Sequence, residues 1–419
     1  MKLVSTRDRE AASRVGFREA IFSGLAPDGG LYVPQTTPDL RALIGTFGPD
    51  DGFEQVAERV AGALFREDFP GEGEQAVQRV VHGAFAALSP RLRSLPAVQP
   101  NLHLLELFHG PTCAFKDFGA SFLAAVMEEF LLEERRRALI LVATSGDTGS
   151  AVARAFHKRR NIGVVILYPS GRVSPLQEQQ LTTVGDNVTA LEVAGSFDDC
   201  QRLAKEAFLD AELVTALPLT SANSINPGRL LPQAFYYIWA RSRFAAGEPV
   251  VICVPSGNFG NLTAGVYAWQ WGLPVRRFLA ATNLNDVVPE YLSSGAFRPR
   301  ASVRTLSNAM DVGNPSNFER LLAVFGGDPQ VMRGTIEGLR VDDRQTRGGP
   351  SMAAGEAWWR TPGCERSWGG SPPCSRTRMK HGHRFRNGSP LSGRSLLMPS
   401  WSFAPSFLRP ASSGENRRF

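Results

Sequence analysis

The sequence predicts an α/β fold built on parallel sheet, and three observations carry that expectation. From about residue 100 onward, near-continuous apolar runs of strand length recur along the chain. Several of these runs end in a glycine-rich turn, and each turn opens into an amphipathic or apolar helix pattern. The overall composition, 43% hydrophobic and 21% charged, suits a chain of 419 residues that buries a sizeable core. Strands buried on both faces read as unbroken Val/Ile/Leu/Ala runs rather than alternating ones, which is the mark of a parallel sheet covered by helices.

The elements follow in order. FREAIFSGLA (17–26) has apolar residues at helical spacing, and APDGGLYVP (26–34) interrupts it with a Gly-Gly turn and a short strand. EQVAERVAGALF (54–65) and EQAVQRVVHGAFAAL (74–88) read as amphipathic helices. Residues 1–95 are therefore expected to form a mainly helical N-terminal domain. LHLLELF (102–108), ALILVAT (138–144), GVVILYP (163–169), VTALEV (188–193), VVICVPS (250–256) and RRFLAAT (276–282) read as buried parallel strands. They define an α/β catalytic region over 96–343, with a smaller lobe over roughly 120–220 inserted in the larger.

Past Asp343 the character changes. Residues 344–419 are dominated by Arg, Gly, Pro and Ser, and contain no aspartate. This tail carries about +10 and the remainder of the chain about −4, so the basic pI near 9.3 belongs to the tail. Three readings fit such a segment: a basic arm for nucleic acid, a solvated linker, or residues read out of frame. Trp358, Trp359, Trp368 and Trp401, together with the lack of any helical or strand period, favour the third. Nucleic acid is accordingly not expected as a partner. No apolar run reaches membrane-spanning length, and the N-terminus lacks an apolar signal core, so a cytoplasmic protein is expected. The five cysteines are scattered without a CxxC pair, so neither a metal site nor a disulfide framework is predicted.

Three glycine-rich turns stand at strand ends. ATSGDTGSAVARAF (143–156) places Ser145, Gly146, Thr148 and Ser150 at a helix start, where backbone N–H groups and hydroxyls make an anion site. It lacks the GK[ST] ending of a P-loop, and a tight turn with helix caps accounts for it equally. SGNFGNLTAG (256–265) adds two Gly-Asn steps in which Gly257 and Gly260 allow close backbone approach, the makings of a phosphate cradle. SANSINPGR (221–229) sets Ser224, Asn226 and Arg229 before a helix; the arginine could clamp an anion or lie on the surface.

One lysine calls for a chemical explanation. The chain has about five lysines against some forty arginines, and Lys116 lies in the apolar stretch HGPTCAFKDFGASF. Lys2 is terminal, Lys158 belongs to the basic run HKRRN, and Lys205 lies on the polar face of a helix. In an apolar setting, desolvation favours the neutral, nucleophilic amine. A lysine of that kind beside a phosphate cradle suggests a covalent bond to pyridoxal phosphate, the lysine holding the aldehyde and the cradle the phosphate. A lysine snorkelling from a helix start is the alternative.

FHGPTCAFKDFGASF, ATSGDTGSAVA, ILYPSGRVSPLQEQQ, SANSINPGR, VPSGNFGNLTAG and SNAMDVGNPSN, with GLAPDGGLYVP near the start, resemble threonine synthase over about residues 1–343. The resemblance implies a fold-type II pyridoxal-phosphate enzyme, similar to the tryptophan synthase β chain, with two α/β lobes and the cofactor between them. It implies conversion of the small-molecule substrate O-phospho-L-homoserine and water to L-threonine and phosphate. By that resemblance Lys116 is the Schiff-base lysine and the acid/base. Ser256, Gly257, Asn258, Phe259, Gly260 and Asn261 bind the cofactor phosphate. Thr144, Ser145, Gly146 and Thr148 bind the substrate carboxylate, with Asp147 facing the cofactor. Ser224, Asn226 and Arg229 meet the substrate phosphate. The family also carries a Thr-Ala-His-Pro-Ala-Lys-Phe-like segment near its C-terminus, whose hydroxyl meets the pyridine nitrogen. No such segment follows Asp343, so a catalytically impaired relative is one rival reading. Another fold-type II lyase, such as a threonine/serine dehydratase, is the second; GLAPDGGLYVP and SANSIN argue against it.

Overall fold

The computed structural model describes residues 1–8, 13–69, 71–98 and 101–348. The tail readings therefore fall almost wholly outside the described residues; only the helix Asp343–Gly348 reaches past the compositional seam.

The N-terminal region opens on a small antiparallel sheet in which Lys2–Ser5 pairs with both Val15–Gly16 and Tyr32–Pro34. The helices Phe53–Phe65 and Gly73–Phe85 follow as expected. Their stripes, Val56, Val60 and Leu64 on one and Val77, Val80 and Ala84 on the other, recur every three to four residues and are buried. Phe53 meets Phe118 at 5.5 Å between ring centroids, and Phe85 meets Phe122 at 6.1 Å. Both partners lie on the helix Lys116–Glu134, so the N-terminal region is packed directly onto the helix that begins with the lysine.

Two parallel sheets make the rest. One has the order Val188–Val193, Ile162–Pro169, Ala138–Ala143, Leu219–Thr220. The other has the order Val251–Pro255, Arg277–Thr282, Ile336–Arg340. The turns 145–149 and 256–260 both leave the carboxyl ends of parallel strands, which is where open α/β sheets bind ligands. Among the described residues no helix is long and apolar enough to cross a membrane.

One strand expectation needs correction, and one strand stands where none was expected. His103–Glu106, inside LHLLELF, pairs antiparallel with Arg91–Ser94 in a half-buried two-stranded ribbon, not in a parallel sheet. An unbroken apolar run does not distinguish these cases when one face packs on the core and the other is covered only partly. Ile336–Arg340, with the sequence IEGLR, carries too few apolar residues to read as a strand, yet it completes the second sheet. Its Glu337 faces Arg277 of the neighbouring strand at 3.0 Å, which accounts for the charges in the run.

Candidate active site

Lys116 is the first residue of its helix. The Gly110–Pro111 break before it is tied down by the next residue, Asp117, which accepts hydrogen bonds from Thr112 N (3.0 Å) and Thr112 Oγ1 (2.5 Å). Burial raises the Asp117 carboxyl above its ordinary range, and the Thr112 bonds oppose that rise. One turn onward, a Cβ at Gly119 would lie 2.3 Å from the carbonyl oxygen of Arg229. Glycine there lets the short helix Pro227–Leu230 press against the lysine helix.

The lysine's surroundings differ from the apolar setting expected. Lys116 Nζ donates to Asp147 Oδ2 at 3.1 Å, and each of the two side chains is 19% exposed. The Lys116 charge is the main cause that holds the Asp147 carboxyl below its usual range, against the opposing effect of burial. The other carboxylate oxygen accepts from Gln177 Nε2 at 2.6 Å. Gln177 is in turn fixed by a capping box with Ser174 at the start of the helix Pro175–Thr182. The sequence assigns Gln177 no role in the site. Its signal lies in SPLQ, a capping-box pattern, but only the packing of two helix starts brings it to Asp147.

The turn around Asp147 is built from its own hydroxyl and glycine. Thr144 Oγ1 accepts from Gly146 N (3.0 Å) and Gly149 N (2.8 Å) and is buried, so it closes the turn from behind. Gly146 has φ 140°, and a Cβ there would strike the Gln177 amide at 2.5 Å. Ser145 is exposed and Thr148 half-buried, at the start of the helix Asp147–Phe156.

The second turn is stitched more tightly. Ser256 N donates to Ala281 O (2.7 Å) and Ser256 Oγ to Val254 O (2.9 Å), which ends the strand squarely. Phe259 has φ 63°, in the left-handed region, immediately before the helix Gly260–Gln270. A left-handed residue at a helix start turns consecutive N–H groups into one concavity, a shape that binds anions. Asn258 Nδ2 donates to Ser224 Oγ (2.6 Å), and Asn258 Oδ1 accepts from Ser316 N (2.7 Å) and Oγ (2.9 Å). Asn261 Oδ1 accepts from the hydroxyls of Tyr236 (2.5 Å) and Tyr237 (2.6 Å). Tyr236 packs on Phe118 of the lysine helix at 5.5 Å, so this turn and the lysine share one buried aromatic wall.

SANSINPGR divides its labour. Ser224 reaches the second turn through Asn258. Asn226 is fully buried and spends its amide on Ile21 O, Ser221 O and Gly228 N. Arg229 is buried, donates to Ala222 O (2.8 Å), and has its guanidinium pushed down to about 10 by burial. SNAMDVGNPSN, to which the sequence assigns no chemical role, is a buttress. Asp311 accepts from Thr305 Oγ1 (2.7 Å), Thr305 N (3.0 Å) and Asn283 Nδ2 (2.8 Å), and fixes the segment to the end of the second sheet. Met310 then backs the second turn: a Cβ at Gly257 would lie 2.7 Å from Met310 Cα.

The residues present fit a phosphate-bearing cofactor. The second turn offers backbone donors and no carboxylate, and its floor has no room for a side chain at Gly257. The buried amide nitrogen of Asn317 has no partner among the described residues and lies 3.3 Å from where a Cβ of Gly260 would stand.

Residues 2–84 match the family described as threonine synthase N terminus, and residues 89–347 match the pyridoxal-phosphate dependent enzyme family. The chain is 46% identical over 327 residues to a threonine synthase of Serratia marcescens, covering 78% of this chain and 74% of that protein. The chain belongs to the threonine synthase family. Two solved threonine synthases agree with the assignment. The pyridoxal-phosphate-bound structure from Brucella melitensis superposes with a TM-score of 0.75 at 38% identity, covering 83% of this chain and 79% of that one. The Escherichia coli structure gives 0.74 at 41% identity with the same coverage. Membership in the threonine synthase family makes the chain a fold-type II pyridoxal-phosphate enzyme, and GLAPDGGLYVP lies within the matched N-terminal family.

Proposed function

We propose that the chain converts O-phospho-L-homoserine and water to L-threonine and phosphate, with pyridoxal 5′-phosphate held by Lys116 and the turn Ser256–Gly257–Asn258–Phe259–Gly260–Asn261. The observation that carries this reading is the pairing of the helix-start Lys116 with Asp147, 3.1 Å away, beside a glycine turn at the end of a parallel strand. Bound there, the cofactor supplies an electron sink for negative charge developing on the substrate's carbons.

The chain's own residues supply the rest. The reaction breaks the Cγ–O bond to phosphate, adds water at Cβ, and needs protons taken from one carbon and returned to another. One amine that both accepts and donates a proton meets this need, and Lys116 Nζ is the amine on that side of the site. Asp147 holds Nζ in place and Gln177 holds Asp147, so the amine's position is set by two hydrogen bonds in series. Ser145 and Thr148, at the start of the helix Asp147–Phe156, receive the substrate carboxylate, with Thr144 and Gly146 shaping the turn. Ser224 contacts the substrate phosphate, while Asn226 and Arg229 hold its loop from behind.

Release of phosphate and formation of threonine from O-phospho-L-homoserine test the proposal. The unaltered chain turns the substrate over, and Lys116→Ala reduces turnover by several orders of magnitude. Equal activity of the two proteins, or turnover of threonine or serine in place of phosphohomoserine, contradicts it.

A further inference from the structure

Asn317 closes the segment SNAMDVGNPSN and stands at the second turn. Its residue is 0% exposed, and its Nδ2 has no hydrogen-bond partner among the described residues. Leaving a buried donor unmade is unfavourable, so a group of this kind needs an explanation.

The orientation of the amide is not arbitrary. Arg320, also 0% exposed, donates from Nη1 to Asn317 Oδ1 at 2.5 Å. A guanidinium has donors only, so it must face the carbonyl end of the amide, and the NH2 end must face away from it. On that other side lies Gly260: the site of a Gly260 Cβ is 3.3 Å from Nδ2 and 3.8 Å from Cγ. The free donor thus faces Gly260, the first residue of the helix Gly260–Gln270, directly after Phe259 in the left-handed conformation, a backbone shape that suits an anion. Arg320 itself is fixed by donating from Nε to Tyr32 O at 3.0 Å and from Nη2 to Ile225 O. It therefore ties the N-terminal region, the SANSIN loop and Asn317 together behind the cradle.

We propose that Asn317 Nδ2 is a further hydrogen-bond donor to the cofactor phosphate, and that Arg320 is the positioning residue that points it there. The inference rests on the reading that the turn 256–261 holds that phosphate. It gives SNAMDVGNPSN a binding role as well as a supporting one. It also links the fixing of the N-terminal region by Arg320 to the shape of the cofactor site.

Asn317→Asp separates this role from a merely structural one. The aspartate keeps an acceptor for Arg320, so the fold retains its buried pair, but it replaces the donor by an anionic oxygen facing the phosphate. The affinities of the apoprotein for pyridoxal phosphate and for pyridoxal are measured by fluorescence titration, with thermal unfolding as the control on folding. The expected result is an unchanged or raised unfolding temperature, pyridoxal phosphate bound at least tenfold more weakly, and pyridoxal bound as before. Arg320→Lys, which keeps the charge but not the fork, is expected to weaken pyridoxal phosphate binding in the same selective sense. Equal effects on both ligands, or none, overturn the proposal. Asn261→Asp is measured alongside: if it alone loses the preference for the phosphorylated ligand, the role of Asn317 fails and the turn reading stands. If the unaltered protein shows no preference for the phosphorylated ligand, both fail.

Discussion

Gly257→Ala tests how the cofactor turn is supported. Gly257 does not have positive φ, so alanine meets no conformational penalty of its own there. The obstacle is steric and is made of backbone. The added Cβ would lie 2.7 Å from Met310 Cα, 3.0 Å from Ala309 O and 3.3 Å from Met310 C. Carbon–carbon contacts are comfortable at about 3.5–4.0 Å, so one of the two chains must retreat by roughly 1 Å. The 309–310 side is held by Asp311 and its bonds to Thr305 and Asn283, so much of the movement falls on the turn. Overpacking of this kind costs about 1–3 kcal/mol in stability. A turn moved by a large fraction of an ångström also loses aligned N–H donors, and pyridoxal phosphate affinity should fall about tenfold or more. Thermal unfolding and cofactor titration measure the two effects. Gly62→Ala is the contrast: Gly62 lies inside the helix Phe53–Phe65 with no atom within 4 Å of its Cβ position. That change should stabilise by up to about 1 kcal/mol and leave cofactor binding alone. A Gly257→Ala protein as stable and as avid as the unaltered chain would refute the reasoning.

Three further outcomes follow. Asp147→Asn should destabilise the folded protein by about 1–2 kcal/mol, because it leaves the Lys116 ammonium without its counterion while partial exposure screens the loss; thermal unfolding near neutral pH reads it. The Asp147 carboxyl titrates below its ordinary 3.8, so its stabilisation is present above that value and is lost as pH falls through the lowered folded-state value. The unfolding temperatures of the unaltered chain and Asp147→Asn should therefore draw together as pH falls below 3.8 and through the lowered folded-state value, and a gap that does not narrow with falling pH would contradict the ion pair. Gly119→Val should reduce soluble, folded protein sharply, since its side chain meets the Arg229 carbonyl oxygen at 2.3 Å from the first atom onward; an unfolding temperature equal to that of the unaltered chain would show that the two helices are not held as described.

Much of the site was legible in the sequence because its chemistry depends on residue types with few alternative uses. A lone lysine in an apolar stretch and glycine-rich turns at strand ends single out Lys116, 144–148 and 256–261 as candidates, and the resemblance to threonine synthase gives each its role. What escaped depends on tertiary packing. The ribbon of Arg91–Ser94 and His103–Glu106 and the strand Ile336–Arg340 owe their pairing to neighbours distant in sequence. Gln177 reaches Asp147 only because two helix starts face one another. The apolar setting expected for Lys116 left out its pairing with Asp147, which the resemblance places facing the cofactor and which lies 31 residues away in the chain and 3.1 Å away in space. Arg229 reads as an anion clamp from its place before a helix, but its guanidinium is turned inward to Ala222. Asn317 ends the quoted motif SNAMDVGNPSN, but neither it nor Arg320 shows a role locally, since their meaning comes from three segments meeting behind one turn.

The most direct test of the central claim is to identify the residue that holds the cofactor. The purified chain is mixed with pyridoxal phosphate, reduced with borohydride and digested, and the labelled peptide is located by mass spectrometry. The predicted result is one pyridoxyl group per chain on Lys116, and none in Lys116→Ala. Label on Lys2, Lys158, Lys205 or Lys380 instead, or no stable label at all, would contradict the assignment of Lys116 and of the cofactor site built around it.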